Sequence, residues 1–205
     1  ERVDEHGVLR GDLIFQGGGD PSFCARRNIA LETEPMRPIE AMADQVAAAG
    51  VKVIDGDIVG DDTRFEKDLY PVGWTLDDST WSYGSPVSAL TVFENQIDIS
   101  VEAVPGEDIP RVNVTPLADF FVVDNRLRTG ARTNWSIDRL PGSRQLILSG
   151  TIASGAKRGE QAAVDDPPGF AAAVLKDALE RRGIRITGGV RTRSRESGDM
   201  SEAPL

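Results

Sequence analysis

Residues 73–95 contain the side chains of this sequence that are best suited to bind a ligand. The candidates are four aromatic residues and two adjacent acids: Trp74, Asp77, Asp78, Trp81, Tyr83 and Phe93. Aromatic faces beside carboxylates can hold a ligand that carries a cation on an apolar stem. In the alternative interpretation, the aromatics anchor a long loop and the acids only face water, as most surface acids do. The residue types alone favour this alternative.

Length and charge restrict the classes of function. With 205 residues the chain can bury a full core, as one domain or as two small ones. Its net charge of -10 would repel nucleic acids and anionic membranes, and no run approaches the ~20 apolar residues that cross a bilayer. We therefore expect no nucleic-acid partner and no membrane insertion. Because the first residue is Glu1 rather than Met, we also expect a piece of a larger protein.

The single cysteine and the single histidine offer one possible catalytic pair. Cys24 has no second cysteine for an internal disulfide, so it fits either side of a membrane. A reactive thiol needs a lowered pKa and a nearby base, and His6 lies near the N-terminal end of the chain. The two residues would have to meet in space, which nothing in their spacing predicts. We expect no Cys–His chemistry.

The elements before the candidate segment are a strand, a turn and a helix. Apolar residues predict a strand at 10–16, and the Gly-Gly-Gly-Asp-Pro sequence after it predicts a turn. A dinucleotide-binding loop would need the spacing Gly-x-Gly-x-x-Gly, so we exclude a phosphate site there. Apolar residues at helical spacing predict a helix at 37–49, and a strand follows at 51–54.

Four aspartates follow this strand, which raises the question of a calcium site. They are Asp55, Asp57, Asp61 and Asp62. An EF-hand loop needs Gly at its sixth position and Glu at its twelfth, and this sequence has neither. Asp-Gly beside apolar residues is instead a common turn. We expect a turn here, with no metal and no cofactor.

A β-rich part follows the candidate segment. Alternating polarity predicts a strand at 97–103 that buries Ile97, Ile99 and Val101. Residues 111–152 show only strand patterns, including a hairpin around Leu-Pro-Gly-Ser. Short strands at this spacing predict a small sandwich or barrel.

A second helix and strand repeat the order of the first pair. A helix is predicted to begin at Asp165-Asp166-Pro167-Pro168, and its apolar face carries Phe170, Val174, Ala178 and Leu179. The stretch 184–190 then echoes the stretch that begins with the strand at 51–54, which predicts that a strand at 184–186 pairs with 51–54 in one sheet. The tail after Arg193 is expected to be disordered or linker-like.

These patterns predict an α+β fold with one domain nested in another. An α/β domain with two helices packed on a sheet is interrupted by an all-β sandwich or barrel-like domain. The predicted boundaries are 1–104 and 161–205 for the α/β domain, the latter including a linker, and 105–160 for the nested β-rich domain.

Three sequence blocks resemble those of one enzyme family in the same order. They are Gly-Gly-Gly-Asp-Pro-Ser at 17–22, Ile-Asp-Gly-Asp-Ile-Val-Gly-Asp-Asp at 54–62, and Gly-Ser-Pro-Val-Ser-Ala-Leu at 84–90 behind Trp74, Asp77, Asp78 and Tyr83. This chain resembles the D-alanyl-D-alanine carboxypeptidase/endopeptidase family, the class C low-molecular-mass penicillin-binding proteins. The resemblance is specific for 11–104 and weak at about 105–160.

The resemblance implies an exported serine hydrolase that acts on peptidoglycan, and a place for this chain within it. In the family, Ser-x-x-Lys lies upstream of the glycine-rich turn, while Ser-x-Asn and Lys-Thr-Gly lie downstream of the matching region. We therefore expect none of the three in this chain, which would be the inserted, non-catalytic region of a penicillin-binding carboxypeptidase on the periplasmic or cell-wall side. The alternative is a non-catalytic module that docks a protein partner or a cell-wall polymer.

The resemblance also implies a role for the candidate segment. Asp78 would meet the free ammonium group of the diamino acid in a peptidoglycan stem peptide, and Trp74 and Tyr83 would pack along its methylene stem. A carboxylate with an aromatic wall does discriminate a charged side-chain end from an uncharged one. Asp77 is the alternative ligand, and the spacing does not separate the two acids.

Overall fold

The computed structural model describes residues 3–24, 34–70, 72–116, 118–140 and 142–196. Within them lie two α-helices, α1 (Arg37–Ala48) and α2 (Pro167–Glu180). The strands in chain order are β1 (Val8–Arg10), β2 (Leu13–Gln16), β3 (Val53–Asp55), β4 (Ile58–Glu66), β5 (Gln96–Glu102), β6 (Arg111–Thr115), β7 (Val122–Gly130), β8 (Asn134–Asp138), β9 (Gln145–Ala153), β10 (Lys157–Ala163), β11 (Arg185–Ile186) and β12 (Val190–Arg195).

Contacts between residues divide the chain into two units. The first unit comprises Glu1–Pro71, Val87–Glu94 and Asp166–Leu205. The second unit comprises Val72–Pro86 and Asn95–Asp165. The second unit is therefore inserted into the first along the sequence, and the chain passes between them more than once.

The first unit is built on two three-stranded parallel sheets. Their strand orders are β1-β3-β11 and β2-β4-β12. Three runs of chain, β1–β2, β3–β4 and β11–β12, thus each contribute one strand to each sheet. Each run has a glycine between its two strands, namely Gly11, Gly56 or Gly188. A Cβ atom on Gly56 would lie 2.3 Å from the carbonyl oxygen of Gly11. The runs can approach this closely only because no side chain is present.

The strand predicted at 10–16 is wrong in one respect, because it is broken at Gly11 and Asp12. Asp12 Oδ1 accepts a hydrogen bond of 2.8 Å from the N–H of Asp57. The N–H of Leu13 donates to the carbonyl oxygen of Asp57 at 2.9 Å. These bonds to the neighbouring run pass the chain from one sheet to the other, and local alternation of apolar residues does not reveal them.

The predicted pairing of the two repeated strands is confirmed. β11 pairs with β3 in parallel, with Ile186 opposite Ile54. The expectation of a disordered tail after Arg193 is wrong for the described residues, because β12 continues to Arg195 along β4. Residues 197–205 lie outside the described residues.

The predicted helices are confirmed to within one or two residues at their ends. The side chain of Asp166 accepts a hydrogen bond of 3.0 Å from the N–H of Gly169 and so caps α2. The predicted apolar face of α2 is at most 5% exposed at Phe170, Val174, Ala178 and Leu179. α2 packs against α1, β4 and β12. Neither helix of the described ranges has the length and apolarity needed to cross a bilayer.

The second unit contains the two remaining sheets. β5 lies between β6 and β10 in an antiparallel sheet, and its inward residues Ile97, Ile99 and Val101 are fully buried as predicted. β9 lies between β7 and β8. The predicted hairpin is confirmed as β8 and β9, which pair antiparallel with Ile137 opposite Leu148.

The predicted α+β class is confirmed by two helices and four open three-stranded sheets, with no closed barrel among the described residues. The predicted domain boundaries stay a prediction. The grouping by contacts places Val72–Pro86 and β5 in the second unit, whereas the predicted boundaries place both in the α/β domain. The contacts of β5 with β6 and β10, and an isolated bridge between Trp81 and Ala162, account for this grouping.

Candidate functional site

The aromatic–acid segment, Val72–Pro86, folds as consecutive tight turns. A short 3-10 helix spans Leu76–Thr80, and a second spans Ser82–Gly84. The N–H of Trp81 donates to the carbonyl oxygen of Asp78 at 2.9 Å, and the N–H of Gly84 donates to that of Trp81 at 2.9 Å. A Cβ atom on Gly84 would lie 2.0 Å from the Asp78 carbonyl oxygen. The glycine is therefore required for the second turn to close onto the first.

The two acids of the segment have different environments. Asp78 is half-buried, and its Oδ2 accepts a hydrogen bond of 3.3 Å from the N–H of Thr75, which closes the first turn. Asp77 is exposed, and its carboxylate forms no hydrogen bond or ion pair with any residue in the described ranges. Asp77 is thus the acid whose charge is available to a ligand.

Asp77 lies beside a cavity of about 510 Å³ in the second unit. Its residues are Leu76, Asp77, Thr80, Trp81, Ser136, Ile137, Asp138, Arg139, Leu140 and Ile147. The segment and the β8–β9 hairpin therefore form its two walls. An indole face and aliphatic side chains alongside two carboxylates, from Asp77 and Asp138, suit a cation carried on an apolar stem.

The other residues predicted for the site are not gathered around this cavity. Tyr83 is 70% exposed and lies with Trp81, Asp98 and Gln161 at a second cavity of about 440 Å³. Trp74 is 39% exposed and is not among the residues at either cavity. Trp81 lies at both. The sequence places Trp81 in the right segment, but only the fold shows that it stands between the two cavities.

Two of the sequence blocks of the resemblance and the 87–90 part of the third meet in the first unit, where they pack together. Gly17 approaches the 87–94 stretch so closely that a Cβ atom would lie 2.3 Å from the carbonyl oxygen of Ala89. The hydroxyl of Ser88 donates to Asp62 Oδ2 at 3.1 Å and accepts the N–H of Leu90 at 3.1 Å. The blocks thus take part in packing, and the chain turns just after the three glycines, where the N–H of Phe23 donates to the carbonyl oxygen of Asp20 at 3.3 Å.

The aspartates considered for calcium are held by donors of the protein. Asp57 accepts the N–H of Gly189 at 2.7 Å and the guanidinium of Arg191. The N–H of Gly189, followed by Arg191, holds the pKa of Asp57 below its usual range. Asp61 accepts both the N–H and the hydroxyl of Thr63, at 2.9 and 2.6 Å. The carboxylates of Asp57 and Asp61 are therefore used within the fold.

A family model describing the D-Ala-D-Ala carboxypeptidase 3 (S13) family matches residues 2–203. The chain belongs to this family. The predicted recognition is thereby confirmed, and a hydrolase family of penicillin-binding carboxypeptidases accounts for the three blocks.

Relatives and solved structures agree with this family. The chain is 29% identical over 189 residues to a D-alanyl-D-alanine carboxypeptidase of Actinomadura sp., covering 87% of this chain and 33% of the relative. It is 25% identical over 195 residues to D-alanyl-D-alanine carboxypeptidase DacB of Haemophilus influenzae, covering 91% and 38%. Penicillin-binding protein 4 (dacB) of Haemophilus influenzae has the same fold, with a TM-score of 0.69 at 23% identity, covering 92% of this chain and 40% of that one. The chain thus spans about a third of the length of these curated relatives.

The expectation that none of the family's three catalytic motifs occurs in this chain is wrong for one of them as a sequence pattern. Ser154-Gly155-Ala156-Lys157 spells Ser-x-x-Lys. Ser154, Gly155 and Ala156 form the turn between β9 and β10, and Lys157 begins β10. Gly155 has a φ of 75°, and Ser154 and Lys157 are both exposed. A nucleophile and its base must lie within hydrogen-bond reach of each other, and no hydrogen bond joins these two side chains. The turn explains the match without catalysis.

The fold does not make a Cys–His pair. Cys24 is 2% exposed, and burial raises the pKa of its thiol to about 11. His6 is exposed, and its Nε2 lies 3.7 Å from Glu5 Oε1. The thiol is therefore protonated at neutral pH and is not activated as a nucleophile.

Proposed function

We propose that this chain is the non-catalytic, substrate-recognising part of an exported serine D-Ala-D-Ala carboxypeptidase/endopeptidase that acts on peptidoglycan stem peptides outside the cytoplasm. Family membership supports the parent activity, and the relatives' greater length leaves room for a separate catalytic part. The observation that carries the recognition role is the exposed Asp77 carboxylate, which has no partner in the described ranges and lies beside Trp81.

The proposed ligand group is the free ammonium of the stem peptide's diamino acid. Asp77 would accept its N–H donors in a charge-assisted hydrogen bond, and the indole of Trp81 and the aliphatic side chains would pack along the methylene stem. Asp138, exposed on β8 at the same cavity, adds negative potential. Asp78 stays the second candidate for the contact, and the roles of Trp74 and Tyr83 stay predictions of the resemblance.

The proposal assigns the chemical step to groups outside this chain. Acyl transfer needs a nucleophile, a base and an oxyanion site, and the one Ser-x-x-Lys here lies on an exposed turn. We expect labelled penicillin to leave the isolated chain unmodified and to acylate the full-length protein. Stoichiometric labelling of the isolated chain would contradict this division of roles.

The recognition role is tested by Asp77→Ala in the full-length protein. A hydrogen bond to a charged group contributes about 1.5–3 kcal/mol, so kcat/KM for a stem peptide with a free side-chain ammonium should fall roughly tenfold to a hundredfold. A peptide whose ammonium is acetylated should be cleaved almost as before. Asp119→Ala is the matched control, because Asp119 is an exposed acid of the same unit that is not among the residues at the cavity.

Equal losses on charged and acetylated peptides would contradict the recognition role. They would mean that the segment is scaffold, and would favour the alternative function, a module that docks a protein partner or a cell-wall polymer. The exposed side chains of Leu76 and Leu140, at 70% and 75%, are the observation behind that alternative. Penicillin acylation of Asp77→Ala at the wild-type rate would show that the catalytic part is intact.

A further inference from the structure

A buried arginine of the second unit, Arg139, bonds to the turn that carries the two acids of the aromatic–acid segment. The side chain of Arg139 is 1% exposed, and it lies just after β8, far from the segment in sequence. Its Nη2 donates to the carbonyl oxygen of Ser79 at 2.6 Å. Ser79 follows Asp78 within the 3-10 helix, so this bond holds the turn that carries both acids.

The same guanidinium joins two further parts of the unit. Its Nη1 donates to the carbonyl oxygen of Ala163 at the end of β10, and its Nη2 pairs with Asp165 Oδ1. Asp165 Oδ2 in turn accepts the N–H of Gly142 at 2.7 Å, in the β8–β9 turn. Three segments of chain thus converge on one ion pair, and the planar donor fork of arginine suits this geometry.

We propose that Arg139 is a positioning residue for substrate specificity, which sets where Asp77 stands without touching the ligand ammonium itself. Its positive charge is bound by Asp165, so it does not cancel the Asp77 carboxylate at the cavity they share. This assigns a role to the strands of the second unit, which hold the aromatic–acid segment in place through Arg139. The expected effect of Arg139 on substrate specificity rests on the proposed function, in which Asp77 binds the ligand ammonium.

Arg139→Lys tests the geometry of the arginine hydrogen bonds separately from the positive charge of the side chain. Arg139→Lys keeps the positive charge for Asp165 but offers one ammonium in place of the fork, so it cannot reach Ser79, Ala163 and Asp165 together. The matched control is Arg126→Lys, because Arg126 forms an exposed pair with Asp124 in the same unit, at 2.6 Å. Asp165→Asn is a milder change of the same contacts if the lysine variant folds poorly.

The first measurement is hydrogen exchange of the whole chain, which needs no substrate. In Arg139→Lys, the amides of Trp81 and Gly84, both hydrogen-bonded in the segment, should exchange roughly tenfold faster as the segment opens locally. In Arg139→Lys the amides of β5 should exchange at the wild-type rate. In the Arg126→Lys control the amides of Trp81 and Gly84 should also exchange at the wild-type rate. Unchanged exchange at Trp81 and Gly84 would overturn the proposal, whatever the substrate results.

The second measurement is the cleavage of charged and acetylated peptides by the full-length protein. Arg139→Lys should raise KM for the charged peptide roughly fivefold to tenfold with little change in kcat, and leave the acetylated peptide within twofold. In an Asp77→Ala background the same change should add nothing, because both act through one contact. A general folding defect would lower kcat on both peptides and reduce the fraction of protein that binds penicillin.

The two proposals fail in different ways. If Asp77→Ala shifts the ratio of charged to acetylated cleavage but Arg139→Lys does not, then Arg139 is not a specificity determinant and only this inference falls. If Asp77→Ala leaves the ratio unchanged, the proposed function falls and takes the specificity role of Arg139 with it. Exchange at Trp81 and Gly84 then decides whether Arg139 holds the segment.

Discussion

Two groups of aspartates in this chain, Asp57, Asp61 and Asp62 in one and Asp77 and Asp78 in the other, differ because only the second has an acid with no partner in the described ranges. In the first unit, Asp57, Asp61 and Asp62 each accept hydrogen bonds from backbone or side-chain donors of the fold. In the second unit, Asp77 is exposed with no partner in the described ranges. Sequence alone gives both groups the same appearance, adjacent acids near glycine and apolar residues. The difference lies in which positive groups and N–H donors the fold brings to them.

The placement of arginines explains this difference. β12 runs parallel to β4 with Arg191 and Arg193 along it, and Arg193 lies opposite Asp61. Arg191 therefore pairs with Asp57, and Arg193 Nε lies 3.4 Å from Asp61 Oδ2, whereas Asp62 is bonded to Ser88. Arg139 lies at the same cavity as Asp77, but its guanidinium is bound to Asp165 and to carbonyl oxygens. Because Asp165 already pairs with this guanidinium, the Asp77 carboxylate is left without an ion pair to Arg139.

The largest expected effect on stability is in the first unit. Asp62 is 6% exposed, and Asp62→Ala leaves the buried hydroxyl of Ser88 without its acceptor, which should cost about 1–3 kcal/mol. Both helices lie in the first unit, so urea unfolding followed by helical circular dichroism measures it. Asp62→Asn keeps an acceptor and should cost less, and Asp77→Ala should not change the midpoint. A wild-type midpoint for Asp62→Ala would remove the distinction between the two groups.

A smaller effect, dependent on pH, is expected at Asp57. Its pKa is lowered in the folded chain by the Gly189 N–H and by Arg191, whereas in the unfolded chain it returns to ~3.9. A lowered folded pKa means that its stabilisation is fully present above the unfolded pKa and is lost as pH falls through the folded pKa. Asp57→Asn should therefore be less stable than wild type at pH 7, with a gap that closes as the solution becomes more acidic than pH ~4.

Urea midpoints of wild type and Asp57→Asn across a pH series measure this gap. The asparagine can still accept the Gly189 N–H but offers no charge to Arg191, so only the ionic part is removed. A gap that stays constant from neutral to acidic pH would show that the charge of Asp57 contributes nothing. The carboxylates of the first unit would then be no different from Asp77 in their effect on folding.

Local patterns were sufficient to predict the elements that depend on neighbouring residues. The alternation at Ile97, Ile99 and Val101 predicted their burial, and the repeated helix–glycine–strand order predicted that β3 and β11 pair. The first signal is periodicity within one element, and the second is the repetition of one order of elements at two places in the chain. The family followed from three short blocks, which the fold brings together around Gly17, Ser88 and Asp62.

Contacts that depend on one particular distant side chain or backbone group were beyond the sequence. The break after β1 depends on a bond from Asp57 to Asp12, and the continuation of β12 to Arg195 depends on β4. Burial of Arg139 follows from its bonds to Ala163 and Asp165. No local pattern separates an arginine that pairs in the core from one that faces water, because burial is decided by the partner.

The smallest expected effect separates Asp78 from Asp77. Asp78 Oδ2 accepts the Thr75 N–H at 3.3 Å, a long bond, so Asp78→Ala should lower kcat/KM for the charged peptide by at most about threefold. Asp78→Asn keeps an acceptor for Thr75 but removes the charge. If Asp78 only closes the turn, the asparagine variant should cleave both peptides like wild type, because the turn is retained. If Asp78 is the contact for the ammonium, asparagine and alanine should cause equally large losses on the charged peptide alone. That result would assign the ligand to Asp78, as the resemblance implies, and would show that exposure and lack of a partner are not enough to identify the binding acid.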